Sequence, residues 1–274
     1  MKIALTGAGG FVGTQLRKTF TDSVSIHRND SEDEILRKLE GVSVVINLAG
    51  APIIKRWSDG YKKILISSRV DTTKTLVNAI NRSDVSHLIS TSAIGAYPDF
   101  NAYDESFQGY GEDFLADLTK QWEEEANRCI KRTTIMRFGV ILGKNGGALS
   151  QMLLPFKLGV GGIIGNGKMI TSWIDIDDLV EIYKFVIEKH LSGLLNATAP
   201  NPVTNYTFTK TLGRVLNRPT ILPVPEFILK LAFGEGSTVL TGSKEIYPKA
   251  LLNAGFEFRY KDIDSSLEHL LLEE

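Results

Sequence analysis

The sequence predicts an α/β fold: a parallel sheet covered by helices on both faces, followed by a smaller, partly interleaved C-terminal region. Two observations predict it. Short β-branched runs at 2–6, 24–27, 42–48, 87–91 and 133–138 alternate with stretches whose apolar residues recur at helical spacing. Past residue 142 the alternation gives way to glycine-rich turns (Gly146-Gly147, Gly159 to Gly167) and proline-rich ones (Pro200, Pro202, Pro219, Pro223, Pro225).

The elements follow in order. The first strand runs directly into Thr6-Gly7-Ala8-Gly9-Gly10-Phe11-Val12-Gly13 and then a helix. Only 31–39 is available for a helix between the second and third strands, with Ser31 and Glu34 spaced as a capping box. A long helix is expected over 58–81, its stripe made by Ile64, Val70, Leu76, Val77 and Ile80. Another spans 112–131, with Phe114, Leu118, Trp122, Ala126 and Cys129 near one face and Glu123, Glu124, Glu125 and Lys131 on a solvated one. Residues 174–189 read as a helix and 193–197 as one more strand. The main domain is therefore expected over 1–147 and 173–197, and the smaller one over 148–172 and 198–274. Leu229, Leu231, Ala232 and Phe233 are assigned to the core of the smaller domain.

Composition narrows the function. The 274 residues carry 31 Lys+Arg against 32 Asp+Glu, so no basic field invites nucleic acid. One cysteine, Cys129, allows no intrachain disulfide, and the four scattered histidines predict no metal site. The opening residues lack a signal-peptide core and no run of about 18 apolar residues occurs, so a cytoplasmic protein without a membrane partner is expected.

The glycine loop carries the chemistry. Its spacing is G-x-x-G-x-x-G, between a strand and a helix. Gly7 permits the tight turn, Gly10 lets a pyrophosphate approach the backbone, and Gly13 lets the helix pack close to the sheet. Unpaired N–H groups and the positive helix end then face the phosphates. At the end of the second strand, about 20 residues on, an acid would receive a ribose 2′-hydroxyl. Arg28 stands there instead, suited to a 2′-phosphate, so NADP is favoured over NAD; Asp30 and Glu32 lie close by. Leu48, Ala49 and Gly50, and Ser90 and Thr91, end the next two strands with mostly small residues that let a ribose or nicotinamide lie against backbone.

These motifs resemble the short-chain dehydrogenase/reductase superfamily, extended or atypical type, and within it the NAD-dependent epimerase/dehydratase-like proteins often labelled sugar-nucleotide epimerases. The resemblance rests on Gly7–Gly13, 47–52, Ser67-Ser68-Arg69, Ser90 to Tyr97, 137–143, 172–179 and 201–205. The run 248–256 resembles the short domain of unknown function that ends that subfamily. The resemblance implies a Rossmann-type doubly wound sheet holding a nicotinamide dinucleotide, with a small C-terminal domain closing over substrate. It implies Ser92 as the catalytic hydroxyl and Phe138, Gly139 and Val140 near the nicotinamide, and it suggests a homodimer, although a monomer is equally compatible with the acidic helix faces.

One family feature is missing. The Tyr-x-x-x-Lys pair expected near 113–121 does not occur, and the one match in the chain, Tyr206 and Lys210, lies beyond the last expected sheet strand. Asp113, Glu112, Tyr97 and Lys120 are the substitute acids and bases in that window, with Asp113 and Tyr97 preferred. Asp175, Asp177 and Asp178 read as helix capping, and Trp173 as a core anchor. Lys168, in its glycine-rich turn, is either a phosphate contact or part of a hinge, and Arg69 faces either cofactor or solvent. The expected function is NADP-dependent, epimerase-like oxidoreduction of a hydroxyl or carbonyl on a small substrate, with nucleotide-linked substrates included. The alternative is a catalytically silent dinucleotide-binding regulator or scaffold.

Overall fold

The computed structural model describes residues 1–272. Six strands form one parallel sheet: β1 (Ile3–Thr6), β2 (Ser23–Ile26), β3 (Val44–Asn47), β4 (His87–Ala93), β6 (Arg132–Phe138) and β10 (Gly193–Ala197), with β5 (Ala102–Tyr103), β7 (Val140–Gly143), β8 (Ile170–Thr171) and β9 (Trp173–Asp175) in short pairs outside it. Their order across the sheet is β10-β6-β4-β3-β1-β2. The chain winds one way from β1 to β2 and the other way from β3 onward, so the order reverses between β1 and β3. A crevice opens at such a switch point, outside the carboxyl ends of the strands.

Alternate residues on a strand face opposite sides, and both sides are covered. Ile3 and Leu5 of β1 join Leu16 of α1 (Phe11–Thr19) and Leu179, Ile182 and Val186 of α7 (Ile176–Glu188) in one apolar cluster. Ala4 joins Ile35 of α2 (Glu32–Lys38) and Leu76, Val77 and Ile80 of α4 (Val70–Asn81) in another. The predicted capping box at α2 is present, with Ser31 N–H donating to the Glu34 carboxylate and Glu34 N–H donating to Ser31 Oγ. The last helix, Ile263–Leu272, and α8 (Asn205–Val215) contribute Ile263, Leu267, Phe208 and Leu212 to the same cluster as β1.

Three expectations change. The helix over 58–81 is two helices, α3 (Asp59–Ser67) and α4, broken at Ser68 and Arg69. Ser68 Oγ accepts the Ala51 N–H at 3.0 Å and Arg69 Nη2 donates to Ala51 O at 3.0 Å, so the break is drawn onto the loop after β3. Ile64, expected in the stripe, is consequently exposed. The helix over 112–131 is shorter, α5 (Phe114–Ala126), and Glu123 lies in its buried face rather than in solvent. The 229–233 segment belongs to α9 (Glu226–Phe233), which has no buried residue; Leu231 is 74% exposed, so it is no core anchor. Leu229 and Phe233 are half-buried, and Leu231 and Ala232 are exposed.

A buried histidine gives the sheet a pH dependence. His87 Nε2 meets Thr134 Oγ1 at 2.8 Å, and because Thr134 donates onward to Leu191 O, the imidazole is the donor. Burial, aided by Arg132 and His190, lowers its pKa to about 4. The neutral ring is thus the folded form, whereas the unfolded chain takes up a proton near pH 6.5. The stability this provides is complete above about pH 6.5 and is lost as pH falls towards 4. In His87→Gln, denaturant midpoints measured across that range should fall less steeply than those of the wild type; parallel profiles would exclude the histidine as the source.

Candidate functional site

The site is built on the crevice at the β1/β3 switch point. Gly7 sits at φ +62°, and a Cβ there would lie 2.7 Å from Leu48 O, so the turn after β1 closes directly onto the loop after β3. Gly10 caps α1 with backbone only, leaving its first-turn N–H groups to a ligand. Gly13 faces the turn so closely that a Cβ would stand 2.3 Å from Gly7 O. Gly9 has open space around its Cα, and Val12 packs inward. The Phe11 ring fills the space left by Gly143 and Gly146, where an added Cβ would meet it at 2.3 and 2.1 Å.

Thr6 organises the neighbouring loop. Its hydroxyl donates to Asn47 Oδ1 at 2.7 Å and accepts from Leu48 N–H at 2.9 Å and Ala49 N–H at 3.1 Å. Asn47 Nδ2 then donates to Thr73 Oγ1 at 2.8 Å and approaches Ser90 Oγ at 3.3 Å, and Trp122 Nε1 also donates to Thr73 at 2.9 Å. One polar network therefore ties β1, β3 and β4 to α4 and α5 beneath the crevice.

On the β2 side a cavity of about 230 Å³ is lined by Thr6, Ile26, His27, Arg28, Asp30 and Ser67 among others. The acids near Arg28 are already engaged. Asp30 accepts from His27 N–H at 2.7 Å and pairs with Lys38 at 2.5 Å, and those contacts hold its pKa below the usual value against the effect of burial. Glu32 pairs with Arg82 at 2.6 Å. Arg28 is exposed, with no carboxylate within ion-pairing distance among the described residues.

On the β4 side lies a cluster that sequence reasoning missed. Ser92 on β4 stands opposite Arg137 on β6, which stands opposite Asn196 on β10. Glu123 of α5 covers this row. Its carboxylate accepts from Ser92 Oγ at 2.5 Å, from Arg137 Nε and Nη2 at 2.8 Å each, and from Tyr110 OH at 2.7 Å. Glu123 and Arg137 are 3% and 2% exposed. Burial opposes the charge on Arg137, but the paired Glu123 outweighs it and holds the guanidinium pKa above its ordinary value. Burial, then the Glu123 charge, pushes Tyr110 up to about 12. Arg137 also lies 4.6 Å from the Tyr97 ring and 5.3 Å from that of Tyr110.

The expected site residues fall in different places. Ser92 is in this cluster. Tyr97 is wholly buried, its hydroxyl donating to Asn196 Oδ1 at 2.9 Å, and burial raises its pKa. Asp113 is the N-cap of α5, accepting from Ala116 N–H at 2.8 Å, and lines an open cavity of about 640 Å³ with Asp99, Phe100, Lys168 and Glu226. Thr91 points to the opposite face, 3.4 Å from Tyr183 OH. Phe138 packs edge-on against Tyr183. Gly139 and Val140 donate N–H groups to Ala197 O and Ser172 O, so the glycine is required by backbone closeness: a Cβ would stand 2.7 Å from Ser172 O. Lys120 is exposed; Tyr206 and Lys210 lie on α8, with Lys210 bonded to Thr220.

With that geometry in place, similarity to known proteins becomes informative. The model of the NAD dependent epimerase/dehydratase family matches residues 3–198. The chain belongs to that family. A second match, to a domain of unknown function (DUF1731), covers residues 224–270 of this epimerase-family chain. It is 36% identical to the chloroplastic epimerase family protein SDR39U1 homolog of Arabidopsis thaliana, over 99% of this chain and 87% of the relative. It is 35% identical to the epimerase family protein YfhF of Bacillus subtilis, over 99% and 98%. Among solved structures, the human epimerase family protein SDR39U1, crystallised with NADPH, superposes over the whole of both chains with a TM-score of 0.92 at 29% identity. No helix among the described residues is long and apolar enough to cross a membrane.

Proposed function

We propose that this chain binds NADPH or its oxidised form and acts as an epimerase-like oxidoreductase on a hydroxyl or carbonyl of a small molecule. The observation that carries the reading is the cavity at the end of β2, where Arg28 is available to a 2′-phosphate while Asp30 and Glu32 are occupied by Lys38 and Arg82. The residues fit the cofactor. The cavity would hold the adenosine end, the first-turn N–H groups of α1 would hold the diphosphate, and the Leu48–Gly50 loop would border the nicotinamide end. Crystallisation of human SDR39U1 with NADPH supports this choice.

The bound nicotinamide would supply hydride transfer. The chain's part is to position the oxygen and handle its proton. Ser92 has its own proton committed to Glu123, so its oxygen is free to accept from a substrate hydroxyl. In this reading the proton moves from Ser92 to the Glu123 carboxylate, which Tyr110 holds in place by donating its own hydroxyl proton to it. Asp113, an exposed cap whose Oδ1 is already committed to the α5 backbone, is better placed to line the substrate cavity. Arg28→Ala should weaken NADPH binding by roughly tenfold or more, since a charge-assisted phosphate pair contributes about 1.5–3 kcal/mol. NADH affinity should be unchanged. Fluorescence titration with both coenzymes measures this, and equal losses for the two would reject the 2′-phosphate assignment.

The absence of a Tyr and Lys four residues apart on α5 favours a second reading, a dinucleotide-binding regulator without turnover. NADPH that binds but is oxidised by no member of a carbonyl panel would decide for it.

A further inference from the structure

Arg69 is a half-buried cation that meets no carboxylate among the described residues. It opens α4, and its guanidinium turns inward: Nη2 donates to Ala51 O at 3.0 Å, and weaker contacts at 3.4 Å reach Leu65 O and Ser68 Oγ. The guanidinium carbon lies 5.4 Å from the Trp122 ring. Only burial and Tyr61 perturb its ionisation, with no carboxylate contributing among the described residues, and burial pulls its pKa down to about 10. Buried charges are normally paired, because desolvation penalises an uncompensated one. Carbonyl dipoles and a ring face offset part of that cost and leave the net charge uncancelled.

Its position says what the charge faces. A Cβ on Gly50 would stand 3.0 Å from Arg69 Cζ and Nη2, so the guanidinium lies directly behind the Leu48–Gly50 loop. The sheet order fixes which part of a dinucleotide meets that loop. With adenosine at β2 and the diphosphate at β1, the chain of the cofactor continues over the end of β3, where the ribose that carries the nicotinamide must lie. Glycine at position 50 is the thinnest possible wall between the two. The Tyr-x-x-x-Lys pair does not occur on α5, and the lysine that helix does carry, Lys120, is exposed.

We propose that Arg69, reaching in from the start of α4, supplies the fixed positive charge beside the nicotinamide half of the cofactor. This rests on the dinucleotide reading above. A fixed cation there opposes the positive charge of the oxidised ring and spares the neutral reduced one. The wild type therefore binds NADPH more tightly than NADP⁺, and the ratio of the two Kd values reads the charge directly.

The test titrates wild type, Arg69→Gln and Arg69→Lys with NADPH, NADP⁺ and 2′,5′-ADP, which lacks the nicotinamide half. In Arg69→Gln the preference for NADPH over NADP⁺ should shrink by about tenfold, as expected for removal of one charge at screened, partly buried range. Arg69→Lys should restore most of it, and 2′,5′-ADP should bind all three alike. An unchanged ratio in Arg69→Gln overturns the proposal, as does parallel weakening of all three ligands, which would mark Arg69 as a loop anchor only. If Arg69→Gln does not fold, a lysine variant whose ratio collapses although its charge is kept overturns it equally. Wild type that binds 2′,5′-ADP and neither coenzyme more tightly defeats this inference alone; wild type that binds none of the three defeats the dinucleotide reading with it.

Discussion

Glu123→Gln should lose about 3–5 kcal/mol of stability, the usual consequence of stranding one member of a buried ion pair. Among the described residues the carboxylate is the one anion paired with Arg137, and it also accepts from Ser92 and Tyr110. A neutral amide keeps the shape but presents its NH₂ to at least one of those donors. Arg137 cannot escape by deprotonating, nor can it reach water through α5. For a chain of this size each kcal/mol shifts the melting temperature by about 2–4 °C, so a fall of roughly 10 °C is expected. The double variant Glu123→Gln/Arg137→Met should regain more than half of the loss, because the stranded charge is then gone. A single variant melting within a degree of wild type would show that the pair contributes nothing to the fold.

That cluster also marks the limit of what periodicity revealed. Glu123, Glu124 and Glu125 form a run that reads as a solvated face, yet Ala116, Thr119, Glu123 and Ala126 share helical phase and are all buried. The phase was in the sequence. What was missing was the cation that makes burial of a carboxylate tolerable, and Arg137 lies 14 residues away on a different strand, so no local pattern joins them. Ser92 could be identified from its neighbours, but its hydrogen-bond partner could not.

The strands were legible for a related reason. In a parallel sheet both faces are buried, so β1, β3 and most of β4 are continuous apolar or small-residue runs that mark themselves. The break between α3 and α4 was not legible, because its cause is tertiary: Ser68 and Arg69 are pulled onto Ala51. Nothing in 58–81 alone interrupts the helical spacing. Likewise α9 has the apolar content of a core helix and lies exposed, since content fixes the preference for burial and not whether a surface is there to accept it.

Gly13→Ala should weaken coenzyme binding by about a hundredfold or more while costing the fold less than the Glu123 change. Its Cβ would stand 2.3 Å from Gly7 O and 2.8 Å from Ala8 Cα, both backbone atoms, so no side chain can turn aside. Relief requires α1 to back away from the turn or the turn to open against Leu48, which already lies within contact of Gly7. Overpacking of this kind costs about 1–3 kcal/mol. The same movement displaces the first-turn N–H groups that would bind the diphosphate, and those groups act only at hydrogen-bond distance. A loss of NADPH affinity of about a hundredfold or more follows, measured by fluorescence titration beside a thermal melt. Gly9→Ala is the control, because nothing lies within 4 Å of the Cβ it would add. It should leave the melting temperature within a few degrees of wild type. If Gly13→Ala bound NADPH as wild type does, the diphosphate would have to sit elsewhere than at the start of α1, since the geometry there cannot survive the extra carbon.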